Sequence, residues 1–593
     1  MDRSAKIAVG IDLGTTFSVV ARLDSTGNPR VIPNLDGDLS TPSIVYFHDG
    51  GVVVGKEAAK LARFEPAAVA QFAKRDMGKA VCHKRILGNR LPPELIQALI
   101  LRQLKHDASL AVGDFEKVVI TVPAYFNEPR RKATMDAARL AGMDVLDIIN
   151  EPTAAALAYG VQDGFLDPAG RAKRKEQILV YDLGGGTFDA TLMEIDGMKY
   201  RAVATDGDVC LGGIDWDQRI ADHVATQFKA QFKVDLHQDA AAWQTLLQDS
   251  EDAKRGLSNR PKVVVHFQHD GNRLAIPLTA EQVESMTSDL VDRTIFTVKN
   301  LLRESGRQWR DLTRILLVGG SSRMPMVQAA LERESGMALD RSMLAEEPVA
   351  LGAAVYAGLL LNQESGEHLD MEVQNISSHH LGVLGVDRQT KIPRRKVLIP
   401  RYTPLPATGS SLFQTFRDDQ HNVAVDVVEG GDDSGQNATQ IGRCVVSGLP
   451  AGLPAGTRVK VTFAYATNGR LTVTAKLPKV QTQVTMVVER PTGLSEDEIT
   501  KWQQWIEAGA VLEVAKPAPV GKGDPAEPPG SQAVVELRDD DLLDTEVYDE
   551  PLVADEPELP AITRGSRKGG VPKRGSTKSR PGTDMDAFFE ELG

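Results

Sequence analysis

Two stretches of this chain set an aspartate, glycines and threonines where they could hold a phosphate. Ala8-Val-Gly-Ile-Asp12-Leu-Gly14-Thr15-Thr16-Phe-Ser-Val-Val-Ala21 runs from an apolar strand through a tight turn into a second strand. Ile178-Leu-Val-Tyr-Asp182-Leu-Gly184-Gly185-Gly186-Thr187-Phe-Asp189-Ala-Thr-Leu192 repeats that plan. Glycine lets backbone N–H groups approach an anion closely, and threonine hydroxyls add donors. An aspartate facing a phosphate directly would be repelled. It can instead hold a hydrated Mg2+, which keeps several waters and needs one or two carboxylates. Two such turns would clamp phosphates from both sides with the metal between. The plainer alternative is a pair of tight β-turns capped by their own aspartates.

A third glycine turn fits the same chemistry. Ile315-Leu-Leu-Val-Gly319-Gly320-Ser321-Ser-Arg323-Met-Pro325 reads as a strand, a turn, and a helix with proline at its start. Close backbone approach beside a helix N-terminus suits a nucleotide. Glu251, Lys254, Arg255 and Ser258 fall at i, i+3, i+4 and i+7, one face of a helix. That face is either ion-paired and solvated or part of a ligand site. A Gly-x-x-x-x-Gly-Lys-Ser/Thr loop and a Gly-x-Gly-x-x-Gly fingerprint are both missing, which excludes the P-loop and Rossmann folds.

The elements that must position these residues alternate between strand-like and helix-like segments from residue 5 to about 362, an α/β pattern. Gln363 to Glu372 is polar and reads as a connection. From about 380 to 490, period-two runs such as Val423-Ala-Val-Asp-Val-Val428 lie between Gly, Pro and Asn, and Asn468-Gly469 marks a hairpin. This region reads as all-β. Ser495-Glu-Asp-Glu498 is a capping box that opens a helix carrying Ile499, Trp502 and Ile506 and ending near Gly509. Beyond Pro517, Glu536 to Glu558 holds eleven acidic residues and one basic, and Arg564 to Arg580 holds seven basic and no acidic residue. Such blocks predict disorder. Met585 to Leu592 is a short amphipathic stretch, either a docking peptide or a frayed end.

Bulk properties narrow the function classes. A chain of 593 residues predicts two to four domains. Its net charge of −13 argues against nucleic-acid binding. Cys82, Cys210 and Cys444 are far apart and lack metal-ligand spacing, which predicts free thiols in a reducing compartment. The start lacks the apolar run of a signal peptide. The longest apolar helix candidate, Leu351 to Leu361, is too short to span a bilayer. The expectation is a cytoplasmic monomer with neither membrane nor nucleic-acid partners.

Five blocks resemble the signatures of the 70-kDa heat-shock chaperones, in family order. They are Ile11-Asp-Leu-Gly-Thr-Thr16, Val122-Pro-Ala-Tyr-Phe-Asn127, Ile149-Asn-Glu-Pro-Thr-Ala-Ala-Ala-Leu-Ala-Tyr-Gly160, Asp182-Leu-Gly-Gly-Gly-Thr-Phe-Asp189 and Leu317-Val-Gly-Gly-Ser-Ser-Arg-Met-Pro325. The resemblance is to the bacterial type, in a divergent form without the helical lid. It implies an actin-like ATPase domain of duplicated ribonuclease H-like lobes over 1–365, a linker over 366–379 and a β-sandwich peptide-binding domain over 380–490. A short helix over 491–512 and a disordered tail over 513–593 would follow.

The resemblance also implies roles. Asp12, Asp182 and Asp189 match the acidic residues around Mg2+ and potassium ions. Gly14, Thr15, Thr16, Gly184, Gly185, Gly186 and Thr187 match the phosphate turns. Lys74, in Phe72-Ala-Lys-Arg75, matches the lysine that positions the γ-phosphate and the attacking water. Glu151 matches the catalytic-site glutamate. Glu251, Lys254, Arg255 and Ser258 would hold the ribose and adenine, with Gly319, Gly320, Ser321 and Arg323 opposite and Glu346 where the family usually has Asp. Val383, Val386, Phe413, Val423 and Val425 would line an apolar cleft, or be ordinary core positions of the sandwich. Phe416 replaces a small residue of the arch over that cleft.

The implied function is ATP-dependent binding of unfolded apolar segments, with peptide affinity switched by ATP and ADP and with J-domain and nucleotide-exchange partners. Three departures stand out. Met371-Glu-Val-Gln-Asn375 replaces a leucine run that ends in Asp, one helix stands where the lid should be, and Met77 to Leu104 is shortened. An ATP-gated adaptor without refolding activity is the second reading, and an actin-fold small-molecule kinase the third.

Overall fold

The computed structural model describes residues 8–162, 175–340, 346–364, 371–387, 392–415, 417–420, 422–447, 451–477, 483–486, 493–514 and 545–547. It is a mixed α/β structure with several sheets. The elements that matter begin with β1 (Ala8–Asp12), β2 (Phe17–Leu23), β3 (Pro29–Val31), α1 (Pro93–Val112), β4 (Lys117–Val122), α2 (Glu128–Leu140), β5 (Asp144–Asn150) and α3 (Glu151–Gln162). Then come β6 (Glu176–Leu183), β7 (Phe188–Asp196), β8 (Lys199–Asp208), α4 (Gly213–Phe232), α5 (Ala240–Leu257), β9 (Arg314–Val318), α6 (Pro325–Ser335) and α7 (Pro348–Glu364).

The first sheet runs β3-β2-β1-β4-β5 and the second β9-β6-β7-β8. Each starts with an antiparallel meander, β1-β2-β3 or β6-β7-β8, and extends from its first strand by parallel pairing to β4 or β9. The repeat seen in the sequence is therefore a repeat of sheet topology. The apolar helix α7 is buried along most of its length and packs on β1 and α3. A Cβ at Gly352 would lie 1.7 Å from the Ala154 carbonyl oxygen, so the α3–α7 contact requires glycine there. Among the described residues no helix is long and apolar enough to cross a membrane.

The polar connection is not wholly irregular. Its Glu372–Gln374 forms β10, which pairs in parallel with β8, while Met371 is buried in the core between the sheets. Backbone pairing needs no leucine run, which is why composition read this stretch as a loop.

Downstream lie β11 (Leu381–Asp387), β12 (Pro393–Ile399), β13 (Ala407–Thr415), β14 (Asn422–Gly430), β15 (Ala438–Ser447), β16 (Arg458–Tyr465), β17 (Leu471–Lys476) and β18 (Gln483–Met486). They form two antiparallel groups, β12-β11-β14-β15 and β13-β16-β17-β18. One apolar cluster, including Val383, Phe413, Val423, Val461 and Phe463, fills their common core. The helix α8 (Glu496–Glu507) follows, with Ser495 and Glu498 making the expected capping box. Ile499 and Ile506 of α8 are buried in the core of the first sheet rather than in the strand array. Arg139 of α2 binds both Glu496 oxygens, at 3.0 and 2.7 Å. A last strand, β19 (Thr545–Val547), lies in the acidic block that composition assigned to disorder, and it pairs with both β11 and β13. The rest of that tail, including 585–592, falls outside the described residues.

Candidate functional site

The two aspartate turns meet face to face. Asp12 ends β1, and Asp182 stands one residue before the end of β6. A Cβ at Gly185 would come within 2.4 Å of the Thr16 side chain, so the two turns touch at a distance that only glycine allows. The space between them opens into a cleft of about 390 Å³. Nearly every nucleotide-site residue read from the sequence lines it: Asp12, Gly14, Thr15, Thr16, Lys74, Glu151, Asp182, Gly184, Gly185 and Thr187 at its floor, and Glu251, Lys254, Arg255, Ser258, Gly319, Gly320, Ser321, Arg323 and Glu346 higher up. Gly186 and Asp189 stand just outside. The Asp189 carboxylate accepts from the Tyr125 backbone N–H at 3.1 Å.

Lys74 and Glu151 come from distant elements. Lys74 sits in a single 3-10 turn over Ala73–Asp76, entered through Phe72 in the left-handed region at φ 63°. Glu151 is the first residue of α3. Their side chains, 5% and 7% exposed, form an ion pair of 2.6 Å. Burial that deep is costly for a charge unless it is paired and hydrogen-bonded. For Lys74, burial opposes the charge, but Glu151 and Asp12 outweigh it and hold its pKa above the usual lysine range.

The aspartates are less well compensated. Burial pushes the Asp12 carboxyl up to about 7, Glu151 adds to the rise, and Lys74 and the Thr121 hydroxyl oppose it. Burial and then Glu151 push Asp189 up to about 8. Asp182 lies well above the carboxylate range through burial, with Glu151, Asp189 and Asp12 all adding. Asp12, Glu151 and Asp182 in the cleft and Asp189 just outside it thus gather around the ammonium of Lys74, with the Arg131 guanidinium also acting on Asp189, an imbalance that a cation would relieve.

The upper cleft is held by pairs that the sequence does not announce. Lys254 contacts Asp217 of α4 at 2.7 Å and donates to the Gly213 carbonyl at 2.9 Å. Burial pushes Asp217 up to about 6 against the pull of Lys254. Arg255 pairs with Glu251 at 2.7 Å, and its guanidinium lies 5.2 Å from the centre of the Phe17 ring. The face at i, i+3, i+4 and i+7 is therefore both ion-paired and cleft-lining. Arg323 and Glu346 approach to 3.6 Å. Arg75 donates to the Gly186 carbonyl at 2.8 Å and pairs with Asp215 at 2.6 Å, tying the Lys74 turn to the second glycine turn. Asp217 and Arg75 were missed. Asp217 lies far from Lys254 in sequence and carries no local signal, whereas Arg75 could have been suspected from its place beside Lys74.

Behind the cleft, the strand array docks on the same α/β body. The Tyr125 ring stands 4.3 Å from the His379 ring. Arg401 pairs with Asp206 at 3.2 Å and Glu304 at 3.1 Å. The Glu128 N–H donates to Glu429 at 3.0 Å. Within the array, Val383, Phe413, Val423 and Val425 lie together and are wholly buried. They belong to one apolar cluster, and β19 pairs against Phe413 on its edge. Phe416 and the Val386 side chain fall outside the described residues.

Comparison with known proteins gives the family. A family model described as Hsp70 protein matches residues 8–87 and 79–528. The chaperone protein DnaK of Halobacterium salinarum, in strains R1 and NRC-1 alike, is 37% identical over 510 residues, covering 85% of this chain and 78% of the relative. A match that runs from β1 past α8, over most of both chains, means that this protein belongs to the Hsp70 family.

Proposed function

We propose that this chain couples ATP hydrolysis in the cleft to the binding and release of extended apolar peptide by the strand array. Membership of the Hsp70 family makes it an ATPase and an ATP-dependent chaperone. In this reading the two repeated sheets are the lobes of an actin-like ATPase unit spanning about 1–365. A connection over 366–379 leads to a β-sandwich over 380–490. The observation that carries the proposal is the buried Lys74–Glu151 pair beside Asp12 and Asp182.

Each residue has a physical task. The Thr15, Thr16 and Thr187 hydroxyls and the glycine N–H groups would bind phosphate oxygens. Lys74 would offset the charge that builds on the transferred phosphoryl group and position the attacking water, with Glu151 holding the ammonium in place. Asp12, Asp182 and Asp189 would hold hydrated Mg2+ and potassium. No group of three or more described His, Cys, Asp or Glu side chains is close enough to enclose a metal ion. The under-compensated buried carboxyls of Asp12 and Asp182 fit Mg2+, which takes most of its ligands from water and phosphate. Bound there, Mg2+ would neutralise the β- and γ-phosphates. The face from Glu251 to Ser258 would hold the nucleoside, with Gly319 to Arg323 and Glu346 across from it.

Coupling is supported by a continuous set of contacts. Asp189 binds the Tyr125 backbone, and the Tyr125 ring packs on His379 at the end of the connection. The β10 ladder ties the connection to β8. Cytoplasmic location, a stress role, a monomeric state and service by J-domain and nucleotide-exchange partners belong to the same proposal. The ATP-gated adaptor stays as the second reading because α8 is the only helix that follows the array among the described residues. Steady-state phosphate release and labelled-nucleotide binding, compared between the natural chain and Lys74→Ala, test the assignment. Turnover should collapse while nucleotide binding persists, and unaltered turnover would remove Lys74 from the site.

A further inference from the structure

The strand array is not closed by its own consecutive strands. β12-β11-β14-β15 form one group and β13-β16-β17-β18 another, and among the described residues β19 is the only strand laddered to both. It pairs in parallel with β11, Val386 opposite Glu546 and Asp387 opposite Val547. It pairs antiparallel with β13, Phe413 opposite Val547, Gln414 opposite Glu546 and Thr415 opposite Thr545. An extended segment held by its backbone on both sides is the geometry of peptide recognition by strand addition. The edges it uses belong to the strands that carry Val386 and Phe413.

The segment has the composition of a weak peptide ligand. Asp541-Leu-Leu-Asp-Thr-Glu-Val-Tyr548 sets two apolar pairs among carboxylates. Reach is not limiting. Residues 508–544 separate α8 from β19, and a random coil of that length would span about 35 Å root-mean-square. Backbone pairing makes no demand on side-chain type, which lets a charged, Pro-flanked tail contribute a strand.

We infer that the tail segment centred on Thr545–Val547 is a built-in occupant of the peptide groove, a tethered competitor that a client must displace. The inference rests on the peptide-binding reading of the array given above. Tethering at an effective concentration on the order of 1 mM makes even a weak segment an effective competitor. Such a competitor lowers the apparent affinity for added peptide about tenfold if its own dissociation constant is near 0.1 mM.

The test uses the full chain and a full-length Glu546→Pro/Val547→Pro variant, which loses two ladder donors. A fluorescein-labelled, leucine-rich seven-residue peptide is titrated by anisotropy in ADP. The variant should bind it about tenfold more tightly, and an unlabelled peptide of residues 538–552 should displace it from the variant. Hydrogen exchange should show slow amides at 545–547 in the natural chain that become fast when the probe saturates the groove. Equal probe affinity in both chains, failure of the tail peptide to compete, or unprotected tail amides overturns the inference while peptide binding itself stands. If neither chain binds the probe, the peptide-binding reading fails and the inference falls with it.

Discussion

Under the proposed function, the cleft and the strand array recognise ligands with different parts of the chain. The cleft would use side chains whose type is dictated by chemistry: an ammonium, three carboxyls and three threonine hydroxyls, brought from β1, β6, the turns that follow them, α3 and the Lys74 turn, with a fourth carboxyl, Asp189 of β7, just outside. Their burial is expensive, and pairing offsets only part of it. The array uses backbone edges around an apolar core, and the residues nearest its edges are ordinary strand formers. Chemistry constrains sequence in the first region, whereas geometry does so in the second. A substitution in the cleft should therefore change rate with little change in fold. A perturbation of the array should change affinity through the ladder rather than through any one side chain.

Lys74→Ala probes the contrast most sharply. Removing one pre-organised charge from a buried phosphoryl-transfer site costs on the order of a hundredfold or more in turnover, and here it also leaves Glu151 without its 2.6 Å partner. Phosphate release should fall by at least that factor, with nucleotide affinity measured by labelled-ATP binding changing far less. A matching loss of affinity and rate would mean that Lys74 serves binding alone.

A buried carboxyl outside the cleft supplies the control for electrostatic cost. Glu94 in α1 is 1% exposed, and its Oε1 has no hydrogen-bond partner among the described residues. Burial pushes it up to about 7 from the ordinary 4.5, opposed first by a hydrogen bond from its own backbone N–H and then by Lys132, with Asp136 and Glu498 adding to the rise. The native state therefore holds a proton that the unfolded chain has released, so stability falls as pH rises from 4.5 through 7. Glu94→Gln should remove that dependence and raise stability by about 1–3 kcal/mol at pH 8, read from denaturant unfolding at pH 5 and pH 8. An unchanged pH slope would show that the carboxyl is solvated.

The smallest effect belongs to the surface. The Arg139–Glu496 pair joins α2 to α8, but Glu496 is 77% exposed. Such pairs contribute about 0.2–1 kcal/mol. Arg139→Ala should leave α8 docked, as judged by Trp502 and Trp505 fluorescence, because Ile499 and Ile506 carry that contact. Release of the helix would make the ion pair the principal anchor.

The same contrast explains what the sequence could tell. Asp12, Asp182 and the glycine turns were legible because aspartate, glycine and threonine recur at close spacing in both turns, whereas the face from Glu251 to Ser258, open to two readings in the sequence, is placed on the cleft by the fold. The alternation of the α/β region and the Ser495–Glu498 box were legible because they follow local periodicity and capping. Lys74 and Glu151 were found only through family resemblance, since a lone lysine has no signature. Asp217 and Arg75 act across long sequence separations. The β10 strand and β19 were read as connection and disorder because a ladder asks only for backbone N–H and C=O groups, which every composition supplies.

The central claim is that events in the cleft control affinity in the array. It is tested most directly by the anisotropy of a labelled leucine-rich peptide on the full chain, titrated once in ATP and once in ADP and repeated with Lys74→Ala. The account predicts weaker binding in ATP than in ADP. It also predicts that the variant, which cannot hydrolyse, holds the weak ATP state after the natural chain has passed to the tight one. Identical affinities in ATP and ADP would contradict it and leave an ATPase whose strand array works on its own.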